Sequence, residues 1–132
     1  MSDDTEYLLA TTPQDYRKCK EFLIAQGWGK DIKLKFPTIF AKRLLTIVGV
    51  LGTLPRDDMI LAGPLSVQAE GNKGFIALNL KIVYEAVLKK MGVKLYNFQA
   101  EGERYIDYIR RLGDFVEVEQ TDTDKVVFKR YL

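Results

Sequence analysis

The sequence contains no histidine and a single cysteine, Cys19, and both shortages exclude whole classes of chemistry. A zinc site built from cysteine and histidine is excluded, because such sites need several of these ligands. The serine and cysteine hydrolase arrangements that rely on a histidine base are excluded as well. Any catalysis by this chain must therefore use carboxylates, tyrosines, lysines, a thiol or backbone groups.

Excess charge of one sign and long apolar runs are also missing. The chain has 20 basic and 18 acidic residues, a net charge of +2, which is too balanced to favour an electrostatic nucleic-acid partner. No apolar run approaches the roughly 20 residues that span a membrane, and the acidic start, MSDDTE, differs from a basic signal peptide. We therefore expect no membrane partner and a cytoplasmic location. The length of 132 residues suits one domain, 1–132, with one core.

Hydrophobic periodicity and turn residues predict a mixed α/β domain with about seven strands. Thr12 is expected to cap the first helix with Pro13 at its first position, and Gly113 is expected to end the third helix. Cys19 falls on the apolar stripe of the first helix and is interpreted as a packed core thiol. Lys42 and Arg43 are expected to form the turn between the second and third strands. The predicted strands cover 6–10, 37–41, 45–53, 59–68, 93–100, 115–120 and 126–132, and the predicted helices cover 13–26, 75–91 and 101–112, with a short helical turn or a loop over 28–36.

The segment 61–91 joins an apolar strand to a long helix through the polar loop AEGNKG. The helix is expected to bury a broad apolar face and to expose the opposite side, which includes Glu85. Lys89, Lys90 and Gly92 mark its end. The two apolar rows of the predicted face are Ile76, Leu80, Val83 and Val87, and Phe75, Leu78, Ile82 and Ala86.

The loop before this helix is a candidate anion site. Backbone N–H groups at a helix start lack partners within the helix and bind groups such as phosphate. Gly71 and Gly74 flank Asn72 and Lys73, so the backbone is accessible and one cation is present. The alternative interpretation is that Gly71 and Asn72 simply form a turn.

The segment 28–36 carries Trp28 among lysines, and two interpretations of it stay open. As an exposed loop it forms one wall of a binding cleft. Alternatively, Trp28 fills part of the core.

Several segments resemble the GNAT superfamily of acyl-CoA-dependent N-acyltransferases. ATTPQDYRKCKEFLIAQG is similar to its first strand and helix, and TIVGVLGT to its third strand. LSVQAEGNKGFIALNLKIVYEAVLKKMGV resembles its acyl-CoA motif, and NFQAEGERYIDYIRRLGDF its fifth strand and the helix and strand after it. The resemblance implies a sheet that opens between strands 59–68 and 93–100, with acetyl-CoA lying in the opening.

The resemblance also implies roles for particular residues. Val67 would meet the pantetheine arm of the cofactor. Ile76 stands where the family has a second small residue, unless a shifted register gives that role to Ala77. The residues implied to contact the pyrophosphate are Gly71, Asn72, Lys73, Gly74, Phe75 and Ile76.

A catalytic acid and base are less clearly marked. The family's tyrosine position holds Ile109 here, so the neighbouring Tyr105 and Tyr108 are the candidates for the acid that protonates the departing thiolate. Packing of both tyrosines is the alternative. Glu70 is the candidate base.

These observations leave three functions to compare. The first is an acetyl-CoA-dependent N-acetyltransferase, whose partners are a CoA thioester and an amine of a small molecule or protein. The second is a non-catalytic protein with the same scaffold that binds a protein partner as an inhibitory or virion assembly component. The third, single-strand nucleic-acid binding, is disfavoured by the balanced charge and would use Trp28, Tyr96, Phe98 and Tyr105. The exposed edges of the terminal hairpin would permit a homo-oligomer.

Overall fold

The fold is one seven-stranded mixed sheet with helices on both faces. The computed structural model describes residues 4–56, 58–68, 73–122 and 125–132. The strands lie in the order β1-β2-β3-β4-β5-β7-β6, and the order of elements along the chain is the one predicted, with turn and loop at residues 28–34. The elements are β1 Thr5–Leu9, α1 Pro13–Ala25, β2 Lys35–Arg43, β3 Thr46–Leu54, β4 Leu61–Val67, α2 Lys73–Lys90, β5 Leu95–Glu101, α3 Glu103–Leu112, β6 Val116–Asp122 and β7 Lys125–Tyr131.

Alternating side chains of the sheet divide the core into two layers, because neighbouring residues of a strand point to opposite faces. Phe40 and Val50 pack with Cys19 and Leu23 of α1 on one face. On the other face, α2 and α3 share a larger core of which Ile39, Ala41 and Leu51 are part. Burial, followed by the charge of Asp15, raises the pKa of the Cys19 thiol to about 12. Cys19 is therefore an unreactive core thiol, as predicted.

Helix α1 begins as its local sequence predicts. The Thr12 hydroxyl accepts a hydrogen bond from the Asp15 backbone N–H at 3.1 Å, and the Asp15 carboxylate accepts one from the Thr12 backbone N–H at 3.2 Å. This reciprocal capping box, with Pro13 at the first helical position, satisfies donors that the helix start leaves unpaired.

Helix α2 buries a narrower face than predicted. Ile76, Leu80, Tyr84, Glu85 and Leu88 are its buried residues. Ile76 and Leu80 reach the sheet at Gly49, where an added Cβ would lie 3.2 and 3.1 Å from their methyl groups. The expected second apolar row is wrong, because Phe75, Leu78, Ile82 and Ala86 are exposed. A helix that is apolar on most sides can bury only the side that meets the sheet.

The turn between β2 and β3 lies two residues after the predicted one. Lys42 and Arg43 are still paired in β2, and Leu44 and Leu45 form the turn with 82% and 91% of their surfaces exposed. Leu44 has a φ of 54°, a left-handed conformation that is uncommon for leucine. The register between β2 and β3 places these two leucines in the turn, although their side chains are apolar.

Glu85, predicted to lie on the exposed side of α2, is buried in an ionic network. Its carboxylate accepts hydrogen bonds from the Tyr96 hydroxyl at 2.7 Å and from Arg130 Nε and Nη2 at 3.0 and 3.3 Å. Lys81 lies 3.8 Å away and also pairs with Asp114 at 3.3 Å. The network links α2 to β5 and β7.

The network makes the stability of the fold depend on pH. Burial raises the pKa of Glu85, but hydrogen bonds from Arg130 and Tyr96 and the nearby charges outweigh burial, so the pKa lies below its ordinary value. A lowered carboxyl pKa stabilises the fold above the unfolded value, about 4.3, and this stabilisation is lost as pH falls through the folded value. We expect the difference in unfolding free energy between the native protein and Glu85→Gln to shrink as pH falls below about 4. Urea unfolding of both proteins at several pH values above and below about 4 measures this difference. A difference that stays constant with pH would contradict a lowered Glu85 pKa.

Candidate active site

The sheet opens between its two parallel strands, β4 and β5. They pair at Leu61 with Asn97 and at Ala62 with Phe98, and beyond these pairs their carboxyl ends separate. Separated carboxyl ends of parallel strands are a common position for ligands in α/β folds. The opening predicted between these strands is therefore present.

A β-bulge shapes the β4 side of the opening. Leu51 pairs with Leu65 and Thr53 with Ala62, so Gly52 of β3 opposes both Gly63 and Pro64. The carbonyl oxygen of Gly63 lies 3.2 Å from the place of a Cβ on Gly52. A side chain at position 52 would therefore crowd the bulge, and Pro64 contributes no N–H to the opening.

Two cavities occupy the opening. The larger, of about 320 Å³, lies among the carboxyl ends of β4 and β5 and the loop after α1. The smaller, of about 30 Å³, lies against α2 and α3 and is lined by Leu78, Lys81 and Tyr108 among others. Both cavities are lined by Ala62, Leu65, Phe98 and Tyr105. The two cavities are therefore neighbours that share one wall.

Tyr105 is the polar side chain of that shared wall. Its hydroxyl is buried and has no hydrogen-bond partner among the described residues. Burial, followed by the Coulombic influence of Tyr108, raises the pKa of Tyr105, so the hydroxyl keeps its proton at physiological pH. A buried hydroxyl without a partner is costly, and a ligand acceptor would remove that cost. Tyr108 is 38% exposed and lines the smaller cavity but not the larger one.

The candidate phosphate loop is described in part. Glu70, Gly71 and Asn72 lie outside the described residues, and Lys73 begins α2, with Gly74 and Phe75 exposed in its first turn.

The structure also describes the side chains on either side of the loop. The Ile76 side chain is buried in the core, so it does not cover the outer surface of the first turn. Ala77 lines the smaller cavity, and Val67 is buried at the end of β4.

The structure decides between the two interpretations of Trp28. The side chain is 38% exposed and lines the larger cavity with Ile32, so it forms a wall of the cleft. By contrast, Tyr96 and Phe98 are buried and Tyr105 is largely buried. These aromatic rings therefore do not form the exposed stacking surface that single-strand nucleic-acid binding requires.

Pro64, Gln99 and Glu101 are among the residues of the larger cavity that were not singled out from the sequence. The position of Gln99 and Glu101 at the carboxyl end of a parallel strand was the available signal. Gln99 Nε2 donates to Glu101 Oε1 at 3.4 Å, so both side chains lie on one face of β5. Pro64 carries no chemical pattern that would have identified it.

Comparison with known proteins identifies the fold. No family model and no curated protein matches the sequence. Solved structures do match in shape: an acyl-CoA N-acyltransferase from Pseudomonas aeruginosa has a TM-score of 0.75 at 12% identity, covering 96% of this chain and 99% of that one. A GNAT-family acetyltransferase from Staphylococcus aureus Mu50 has a TM-score of 0.71 at 14% identity, covering 97% and 99%.

A third structure contains a ligand. PaiA N-acetyltransferase from Thermoplasma acidophilum, in complex with coenzyme A, has a TM-score of 0.67 at 14% identity and covers 100% of both chains. The chain therefore has the GNAT acyltransferase fold. Within the described residues, no helix has the length and apolar content to span a membrane, and no cluster of candidate metal ligands is found.

Proposed function

We propose that the protein is an acetyl-CoA-dependent N-acetyltransferase that acts on an amine. The observation that carries the proposal is the opening between β4 and β5, whose two cavities are both lined by Tyr105, a residue with a buried, unpartnered hydroxyl. Solved structures of the same fold are acyltransferases, and one of them holds coenzyme A. Since fold alone does not determine function, the site carries the proposal.

The residues present fit a CoA thioester. The opening between β4 and β5 offers apolar walls to the end of a pantetheine arm, and the Tyr105 hydroxyl offers a donor to a sulfur or carbonyl acceptor. When bound, acetyl-CoA would supply a thioester carbonyl, whose C–S bond breaks as a C–N bond to the amine forms.

The chain's own groups would assist at both ends of this transfer. Tyr105 would donate a hydrogen bond toward the sulfur as it departs as a thiolate, since its raised pKa keeps the hydroxyl protonated. The amine would lose its proton to a carboxylate or to water, and Glu70 remains the candidate carboxylate. The backbone N–H groups at the start of α2, with Lys73, would hold the pyrophosphate.

The competing function, a non-catalytic scaffold in a virus particle or an inhibitory complex, has less support. A scaffold protein has no need of an open sheet with a buried, unpartnered hydroxyl on a residue that lines two cavities. None of the residues that the structure describes points to a virion or inhibitory partner.

Calorimetric titration with acetyl-CoA, and separately with CoA, tests the proposal. Binding in the micromolar range, about −8 kcal/mol, is expected, followed by thiol release when an amine is added. A folded protein that shows no binding heat at high ligand concentration would contradict the proposal.

Replacing Gly74 with leucine is expected to weaken CoA binding at least about tenfold, because the side chain would cover the amides of the first turn. No atom lies within 4 Å of the place of a Cβ on Gly74, so the fold should be unchanged. The matched control is Gly29→Leu, at a glycine with equally open surroundings. Equal CoA affinity in both variants would show that the pyrophosphate binds elsewhere.

A further inference from the structure

We infer that the acceptor is a primary amine on an aromatic or apolar body, bound in the larger cavity with Glu101 holding its ammonium group. This inference rests on the proposed function, because it assigns the substrate class of the same site.

The walls of the larger cavity are mainly apolar and come from separate elements. The loop after α1 provides Trp28 and Ile32, β3 ends in Leu54, and β4 provides Pro64. An indole ring and aliphatic side chains in one lining favour a flat or branched hydrocarbon, because such a body gains both apolar burial and ring contact. A strongly hydrated acceptor, such as a sugar or a polyamine, would lose water here without replacing its hydrogen bonds.

Charge in the cavity is limited to one side. Among the lining residues that the structure describes, Glu101 alone is formally charged, and it is solvent-exposed at the end of β5. The amide of Gln99 donates to one of its oxygens, Oε1. A carboxylate at the rim of an apolar space suits a ligand with one cationic end, since the cation meets the carboxylate while its body contacts the walls.

The volume of the cavity agrees with a small acceptor. About 320 Å³ corresponds to roughly ten water molecules at about 30 Å³ each. An arylalkylamine such as 2-phenylethylamine fits within this volume, whereas a folded protein substrate could insert only a single side chain.

The chain carries its own probe for this binding. Trp28 is the one tryptophan of the sequence and lines the cavity. Its fluorescence, followed during titration with 2-phenylethylamine, is expected to change and to saturate, both for the free protein and with CoA present. Titration with 2-phenylethanol, which has the same body without the cation, separates the contribution of charge.

The decisive variant is Glu101→Gln, which keeps the shape of the side chain at an exposed position. We expect 2-phenylethylamine to bind about tenfold more weakly, and 2-phenylethanol to bind as it does to the native protein. In turnover with acetyl-CoA, KM for the amine should rise about tenfold with kcat little changed. Glu21→Gln, at an exposed carboxylate of α1, is the matched control and should behave as the native protein.

The substrate class is tested by competition among amines. We expect kcat/KM for 2-phenylethylamine to exceed that for ethanolamine and spermidine by about tenfold or more, and the preference to be lost in Trp28→Ala. Equal or higher values for the hydrophilic amines, or an unchanged KM in Glu101→Gln, would overturn the inference while leaving acetyl transfer intact. Binding of the amine by a protein that binds no CoA would support the ligand class and refute the proposed function instead.

Discussion

Replacing Tyr105 with phenylalanine is expected to lower the rate of acetyl transfer about 100-fold or more, with little change in CoA affinity. The hydroxyl is buried, lacks a partner among the described residues and belongs to a ring that lines both cavities. Removing it leaves the developing thiolate without its donor but leaves the apolar walls intact. Steady-state thiol release measures the rate, and calorimetry measures the affinity.

Tyr108→Phe is the matched control for this experiment. Tyr108 lies on the same helix, and the centre of its ring is 6.4 Å from that of Tyr105. It is partly exposed, however, and lines the smaller cavity but not the larger one. Its replacement should leave turnover near the native value. If Tyr108→Phe lowers turnover and Tyr105→Phe does not, the donor has been assigned to the wrong tyrosine, and if neither does, water or another group protonates the sulfur.

The second large effect concerns stability. Glu85→Ala is expected to lower the free energy of unfolding by about 3 kcal/mol, because Arg130 and the Tyr96 hydroxyl lose a shared acceptor while they remain largely buried. The value is taken from the lower end of the range for buried pairs, since the Arg130 side chain is 24% exposed and can still reach water. Urea unfolding followed by circular dichroism measures the change.

An exposed ion pair provides the comparison. Arg110 Nη2 and Glu117 Oε1 lie 2.6 Å apart with both side chains more than 40% exposed. Glu117→Ala should therefore change stability little, because solvent and salt screen such pairs. Similar losses in Glu85→Ala and Glu117→Ala would show that burial of the first network adds no stability.

Local signals predicted the ends of helices well. Thr12, Pro13 and Asp15 lie within four residues of one another, so their capping box was legible as a pattern. Gly92 and Gly113 both adopt the left-handed conformation expected after a helix, with φ of 79° and 73°. These features depend only on residues that are close in the sequence, so the local pattern is enough to predict them.

Features that depend on distant partners were not predicted. Glu85 looked like a surface residue because its partner Arg130 lies 45 positions away. The full lining of the larger cavity was not predicted for the same reason, because its residues are spread along the sequence from Trp28 to Tyr105.

The candidate site was predicted to a similar, partial extent. The opening of the sheet followed from the resemblance to the family, whereas the choice between Tyr105 and Tyr108 required a view of which ring lines both cavities. Glu70, Gly71 and Asn72 fall outside the described residues, so their roles stay predictions.

The short contact between β4 and β5 has a consequence for how the molecule opens. Helix α2 packs mainly on β1 to β4, whereas α3 packs on β5, which pairs with β7. Strand pairing between these halves consists of two residue pairs, and the Glu85 carboxylate and the apolar core that α2 and α3 share also join them. Because the strand pairing is short here, the halves are natural candidates for the units of sub-global unfolding seen by native-state hydrogen exchange. A ligand in the opening contacts both units, so its binding would suppress their separation and slow amide exchange on both sides together.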